Sequence, residues 1–151
     1  MTMCFPYRPV PVSRPPVALG GRWVRPRPIL GVSVVGPSHT QAIDGLLDTG
    51  ADDTIFPETL AVLIGVDLSN APTGQGAGST MAAVPIRYAQ VYLRITDGRE
   101  FREWPAWVGF TSARIQRPLL GFAGFLQYFS AHFHGDREQV ELTVNSLYPG
   151  T

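Results

Sequence analysis

The chain of 151 residues has one cysteine, no lysine and no long uninterrupted apolar segment. Cys4 alone cannot form an intrachain disulfide and belongs to no cysteine-rich metal motif, which fits a reducing compartment. The longest uncharged runs, residues 68–86 and 118–135, contain Gly, Ser, Gln, Pro or His, so they predict no membrane span. The first residues lack the apolar core of an export signal. We therefore expect a soluble, cytoplasmic protein that does not bind membranes.

Charge is sparse and evenly balanced. Twelve arginines accompany twelve acidic residues, and charged residues make up only 16% of the chain. A net charge of zero gives no long-range attraction for a polyanion, so nucleic acid is not an expected partner. Five arginines precede Asp44, the first acidic residue. The length predicts one domain, and we divide the chain into a Pro- and Arg-rich arm (residues 1–28), a domain (29–145) and a tail (146–151).

Glycine and proline are abundant, and the apolar pattern favours strands. The 16 Gly and 14 Pro make up a fifth of the chain, against roughly 12% on average. Short apolar or alternating segments predict strands at 29–35, 41–47, 85–95 and 101–109. Apolar residues at helical spacing predict two short helices, one after Pro57 and one at 122–129. The sequence therefore predicts a mostly β domain.

The segment LLDTGADDT, residues 46–54, combines features that present a carboxylate rigidly. An apolar strand ends in two leucines, and Asp48 follows directly. Thr49 offers a small hydroxyl that can bind neighbouring backbone. Gly50 permits a tight loop and the close approach of other backbone. The Asp-Thr-Gly triplet occurs once, and the chain has no internal repeat.

This segment resembles the active-site segment of the retroviral aspartic proteases and their cellular relatives, the retropepsin-like peptidases. The similarity continues in order along the chain. Residues 74–80 (GQGAGST) lie where these enzymes carry their flap, and residues 119–121 (LLG) resemble the strand beside their catalytic loop. The resemblance spans about residues 29–144. It implies a closed β-barrel with one or two short helices, active as a symmetric homodimer.

The resemblance implies an aspartic endopeptidase that hydrolyses peptide bonds with an activated water. Hydrolysis by carboxylates alone needs one ionised carboxylate as base and a second, protonated one as acid. One chain supplies only Asp48, so the second must be Asp48 of an identical subunit. Two charges about 3 Å apart repel by about 5 kcal/mol at an effective dielectric of about 20, so the pair shares one proton. We expect a bell-shaped pH dependence on the acidic side of neutrality.

The resemblance also implies roles for the neighbours of Asp48. The catalytic triplet is Asp48, Thr49 and Gly50, with Thr49 bonding across the dimer axis. The substrate-binding residues that the resemblance implies are Ala51, Asp52, Asp53, Gly76, Ala77, Gly78, Ser79 and Leu119. Of these, Asp53 can equally be a solvated or capping acid before the helix.

Apolar residues near the triplet are candidates for the walls of the substrate pockets. They are Leu47, Ala51, Ile55 and Leu119, and they predict a preference for apolar residues beside the cut bond. The same four residues can equally be plain core.

At one position the sequence departs from the retroviral pattern. Retroviral enzymes place an arginine after the glycine that corresponds to Gly121, where it pairs with the carboxylate that corresponds to Asp52. Here the residue is Phe122. Asp52 therefore needs another partner, and we expect an arginine of the arm, from the same or the other subunit.

We expect no cofactor and no metal. Asp48, Asp52 and Asp53 lack the D-x-D-x-D-G spacing of a calcium loop. His132 and His134 stand two apart on one strand face, but the sequence shows no third ligand nearby, so exposed histidines are predicted. Residues 74–80 lack the Gly-Lys-Ser/Thr of a phosphate-binding loop.

Two other functions are compatible with the sequence. A non-catalytic dimerisation or peptide-binding module can keep the retropepsin fold without turnover. Residues 5–28 also resemble a polyproline segment of an adaptor protein. The intact Asp-Thr-Gly triplet favours the peptidase, because a structural module has no reason to keep a desolvated carboxylate pair.

Overall fold

Strands dominate the computed structural model, which describes residues 1–77 and 83–150. Strand accounts for 52% and helix for 9%, which confirms the predicted mostly β fold. The strands are β1 (Thr2–Pro6), β2 (Arg8–Pro11), β3 (Val24–Arg27), β4 (Ile29–Val35), β5 (Thr40–Leu47), β6 (Ile55–Pro57), β7 (Thr73–Ala77), β8 (Ala83–Thr96), β9 (Phe101–Thr111), β10 (Leu119–Leu120), β11 (Phe129–His134) and β12 (Gln139–Val144).

Six strands close into a barrel. In hydrogen-bonding order they are β4, β5, β10, β6, β9 and β8, and the pairing of β8 with β4 completes the ring. The additional strand β7 pairs antiparallel with β8. This closed barrel confirms the fold that the resemblance implied.

Alternating apolar residues fill the barrel. On β8, Val91, Leu93 and Ile95 are buried, whereas Tyr92 between them is exposed. Successive side chains of a strand point to opposite faces, so the alternation in the sequence becomes one core face and one outer face. On the neighbouring strand β9, Trp104 is fully buried.

The helix α1 (Glu58–Ile64) lies where the sequence predicts one. Gly65 ends it with a φ of 82°, a left-handed conformation that favours glycine. Leu60 and Ile64 are buried, whereas Leu63 is exposed. The helix contacts β5, β6 and β9. No helix among the described residues is long and apolar enough to cross a membrane.

The second predicted helix, at 122–129, is reduced to a 3-10 turn at Leu126–Tyr128. Gly124 has a φ of 88°, which interrupts a right-handed helical path. Its N–H donates to Gln127 Oε1 at 2.7 Å, and its carbonyl accepts the indole N–H of Trp104 at 2.9 Å. The apolar spacing therefore reflects core packing of aromatic side chains rather than a regular helix.

The first strand of the expected arm is part of the folded core. β1 pairs with β12, and β12 pairs with β11, which gives a three-stranded antiparallel sheet. Met3 and Phe5 on β1 are buried in the hydrophobic core. The rest of the arm includes an antiparallel hairpin of β2 and β3. The division into arm, domain and tail otherwise stays a prediction.

Candidate active site

Asp48 follows the last residue of β5 and begins a tight turn. β5 and β10 run parallel, with Leu47 opposite Leu120, and the Asp48 N–H donates to the Leu120 carbonyl at 3.1 Å. The Ala51 N–H donates to the Asp48 carbonyl at 3.2 Å. The side-chain Oδ1 of Asp48 accepts the Gly50 N–H at 2.9 Å. One backbone donor therefore holds this half-buried carboxylate, and two backbone hydrogen bonds hold the residue that carries it at the end of a barrel strand.

The loop after Asp48 is hydrogen-bonded to the residues that follow β10. The Phe122 N–H donates to the Ala51 carbonyl and the Ala123 N–H to the Asp52 carbonyl, each at 2.9 Å. The Ala123 carbonyl accepts two hydrogen bonds from Thr54, one from its N–H at 3.1 Å and one from its side-chain hydroxyl at 2.8 Å. Thr54 is fully buried. These bonds hold the two loops side by side.

Gly121 makes this close approach possible. A Cβ at this position would collide with the Asp53 carbonyl oxygen and lie 2.7 Å from the Ala51 carbonyl oxygen. Both are backbone atoms that cannot rotate away, so no larger residue fits without moving the loop. The structure thus places residues 119–121 beside the Asp48 loop, where the resemblance put them.

A tyrosine that the sequence analysis did not single out binds one of the aspartates. Tyr88 on β8 donates its hydroxyl to Asp53 Oδ2 at 2.9 Å. Burial, together with the hydrogen bond and negative charge of Asp53, raises the pKa of Tyr88 to about 12. Asp53 therefore has a structural partner within its own chain. A substrate contact of Asp53 stays a prediction.

Asp52 is exposed, and among the described residues it forms no ion pair and no side-chain hydrogen bond. Two arginines of the expected arm pair elsewhere: Arg8 lies 2.6 Å from Asp44, and Arg22 lies 2.5 Å from Glu138. The expected Asp52–arginine pair is therefore not found within the described part of one subunit. A pair formed with the other subunit stays a prediction.

The candidate pocket walls differ in burial. Leu47 and Ile55 are buried, and Leu47 belongs to the hydrophobic core. Ala51 and Leu119 are half-buried beside the Asp48 loop. The two half-buried residues thus keep surface with which a ligand can make contact, and their role in substrate binding stays a prediction.

The candidate flap residues lie on and after β7. Gly76 and Ala77 belong to this strand, opposite residues 84 and 83 of β8. Gly78 and Ser79 lie outside the described residues. β7 and β8 therefore form an antiparallel pair on the barrel, and the closure of this segment over a peptide stays a prediction.

A second cluster of polar side chains lies on the sheet of β1, β12 and β11. His132, His134 and Glu141 bring their potential ligand atoms within 4.8 Å of one another. Glu141 is the third potential ligand that was not expected from the sequence, and the register of β11 and β12 places it opposite His132. Gly135 and Asp136 are typical of a hairpin turn, but the sequence does not fix the register that places Glu141 opposite His132.

Comparison with solved structures gives several matches to this fold. The crystal structure of a retropepsin-like aspartic protease from Rickettsia conorii aligns with this chain at a TM-score of 0.57. The match covers 94% of this chain and 90% of the other, with 15% sequence identity. No protein-family model and no curated protein matches the sequence. The likeness at this identity concerns the fold, and the chain has a retropepsin-like fold.

Proposed function

We propose that the protein is an aspartic endopeptidase that acts as a homodimer. The observation that carries the proposal is the position of Asp48 at the end of a strand in a retropepsin-like barrel. Among the described residues, its carboxylate accepts one hydrogen bond, from the Gly50 N–H. An ionised carboxylate has about four lone-pair sites, so most remain for a water and for a second carboxylate.

Two Asp48 side chains, one from each subunit, carry out the proposed reaction. The ionised Asp48 accepts a proton from a water while the water oxygen bonds to the carbonyl carbon of the peptide. The protonated Asp48 donates its proton to the carbonyl oxygen, which gives a tetrahedral diol. The diol gives one hydroxyl proton to the ionised Asp48, the C–N bond breaks, and the amine nitrogen takes the proton of the other Asp48, so the pair again holds one proton.

Thr49 and Gly50 support this reaction from the same turn. Thr49 is exposed, which suits a hydroxyl that bonds to the turn of the other subunit. Such a bond would hold the two carboxylates in one orientation, which is how positioned groups lower a reaction barrier. Phe122, 60% exposed next to this loop, adds apolar surface for the same contact between subunits.

The proposed substrate is an extended peptide in the cytoplasm. The half-buried apolar residues Ala51 and Leu119 suit apolar side chains beside the cut bond. The exposed Asp52 offers acceptors to peptide N–H groups. Residues 74–80 would close over the peptide and exclude water, as lids do. The free thiol of Cys4 is consistent with a reducing compartment.

Replacing Asp48 with Asn tests the proposal. Asn keeps the shape of the side chain and an oxygen for the Gly50 N–H, but it cannot act as base or acid. We expect cleavage of a peptide library to fall by about 10²–10⁴-fold or more, with the dimer retained. The matched control is Asp44→Asn on β5, the strand that leads to Asp48, where only a half-exposed ion pair with Arg8 is lost.

A wild-type dimer that cleaves no member of the library would contradict the peptidase assignment. If that dimer nevertheless binds peptides, the protein is a peptide-binding module with the same fold. If cleavage persists in Asp48→Asn at the rate of Asp44→Asn, another group performs the reaction.

A further inference from the structure

The sheet of β1, β12 and β11 has two different faces. Successive residues of its strands point to opposite sides. One side carries buried apolar residues of β1 and β12. The other side carries a row of register partners, Cys4, Glu141 and His132, with His134 two residues along β11. Two imidazoles and a carboxylate therefore share the outer face of one hairpin.

The side chains in this row converge. The rings of His132 and His134 have centroids 6.1 Å apart, and Glu141 Oε2 lies 3.2 Å from His134 Nε2. That nitrogen is shielded from solvent and faces the Glu141 carboxylate. Two potential metal ligands therefore already face each other on this side of the sheet.

We propose that His132, His134 and Glu141 form a binding site for a Zn²⁺ ion. Imidazole nitrogen and carboxylate oxygen are both zinc ligands, at bond lengths of about 2.0–2.2 Å. In a tetrahedral site with bonds of that length, the ligand atoms lie about 3.3–3.5 Å apart. The three potential ligand atoms now lie within 4.8 Å of one another, so small side-chain rotations would bring them to that spacing. Mg²⁺ and Ca²⁺ prefer sites made of oxygen, so the two imidazoles select against them.

Cys4 and Arg137 lie beside the proposed zinc site and affect which residues bind the ion and how tightly. Cys4 lies two strand spacings from β11, about 9–10 Å, and its thiol contacts Glu141 Oε1 at 3.8 Å. Arg137 places Nη2 2.9 Å from His134 Nδ1 and 3.9 Å from Glu141 Oε1. The positive charge of this half-exposed guanidinium opposes a cation at the site. Arg137 therefore weakens zinc binding, and Cys4 stays outside the three ligands.

A bound zinc would link β11 to β12 across the outer face of the hairpin. A ligand that binds only the folded state stabilises it, and the stabilisation grows with the logarithm of the ligand concentration once that exceeds the dissociation constant. Zinc binding is therefore expected to raise the temperature of thermal unfolding. The inference does not depend on the peptidase proposal, because it uses none of the residues near Asp48.

The test is a titration of the full chain, free of any histidine tag, with Zn²⁺ in competition with a chromophoric chelator. We expect one zinc ion per chain. Loss of a residue that only orients a metal-binding side chain already lowers metal affinity about 10–100-fold. The variants His132→Ala, His134→Ala and Glu141→Gln should therefore each weaken zinc binding at least tenfold. The control is His39→Ala, the third histidine of the chain, whose exposed ring contacts Ser38 and which should leave binding unchanged.

Arg137→Ala gives an opposite readout. Removing this cation should tighten zinc binding several-fold, which a variant that merely disturbed the hairpin would not do. Circular dichroism and thermal unfolding without zinc verify that each variant is folded. If the wild-type protein binds Zn²⁺ no more tightly than a His132→Ala/His134→Ala double variant, the proposed site does not exist. An unchanged affinity in Glu141→Gln overturns the three-residue ligand set.

Discussion

At the scale of single residues, Tyr88 connects the loop beside Asp48 with the β7–β8 pair. Its hydroxyl binds Asp53, and its ring lies against Gly74 on β7. A Cβ at Gly74 would lie 2.7 Å from the ring, so glycine allows the ring to pack against the strand. One side chain thus holds an aspartate of the candidate site and supports the strand that leads into the candidate flap.

Tyr88→Phe removes only the hydroxyl and leaves a half-buried carboxylate with one donor fewer. We expect the free energy of unfolding to fall by about 1.5 kcal/mol at neutral pH, as measured by urea denaturation. The control is Tyr92→Phe on the same strand, where the exposed ring makes no hydrogen bond among the described residues. Equal stability of the Tyr88→Phe and Tyr92→Phe variants would show that the bond to Asp53 contributes nothing.

At the scale of elements, the turn between β8 and β9 is attached to the first strand by Asp97. Its Oδ1 accepts the N–H groups of Glu100 at 2.8 Å and Arg99 at 2.9 Å, and its Oδ2 accepts the Cys4 N–H at 3.1 Å. These donors, the Glu100 N–H first, lower the pKa of Asp97 to about 2, although burial acts in the opposite direction. A buried carboxylate therefore joins the turn to β1.

Because the pKa of Asp97 is lower in the folded chain than in the unfolded one, its stabilisation is present above about pH 4 and disappears as the pH falls toward 2. The shift corresponds to about 2 kcal/mol. We expect Asp97→Asn to be less stable than wild type by that amount at pH 6, with the difference shrinking between pH 4 and 2. Urea denaturation across this range measures it.

The control for this titration is Asp136→Asn in the turn between β11 and β12. Asp136 is exposed and makes no ion pair or side-chain hydrogen bond in the described part of the chain. Its replacement should leave stability unchanged at both ends of the range. If Asp97→Asn stays less stable than wild type by the same free energy of unfolding from pH 6 to pH 2, the lost contact rather than the charge accounts for the effect.

At the scale of the whole molecule, the candidate site is half of what the proposed reaction needs. One chain has a single Asp-Thr-Gly triplet, and the turn that carries it exposes Thr49 and Gly50. A symmetric dimer would bring two such turns together at its axis. Sedimentation at increasing concentration should therefore show a dimer, and the proposed activity should depend on it.

Mixing subunits tests whether each site takes one Asp48 from each chain. After exchange in an equal mixture of wild type and Asp48→Asn, about a quarter of the dimers contain two wild-type chains. We expect peptide cleavage to fall to about half of that given by the same amount of wild type alone, because mixed dimers lack one carboxylate. Exchange with Asp44→Asn is the control and should cause no such loss. Activity that stays proportional to the wild-type chains present would mean that each chain carries a complete site.

Much of the candidate site could be predicted because it is local. The triplet at Asp48 and the strand before it are contiguous in the sequence, and the helix after Pro57 follows from apolar spacing and a glycine stop. Tyr88 and Glu141 could not be predicted in the same way. Asp53 lies 35 residues from Tyr88 and meets it only through loop packing. His132 is close to Glu141 along the chain, but only the register of the β11–β12 hairpin places the two side by side.

The sequence by itself determined the strand content, the main turns and the strand end that presents Asp48, because periodicity and turn chemistry act over a few residues. Only the tertiary structure decided that β8 closes the barrel onto β4 and that β1 enters the core. It also replaced the predicted helix at 122–129 with a turn around Gly124. These outcomes depend on register and packing between distant segments, where the free energy of burial outweighs local preference.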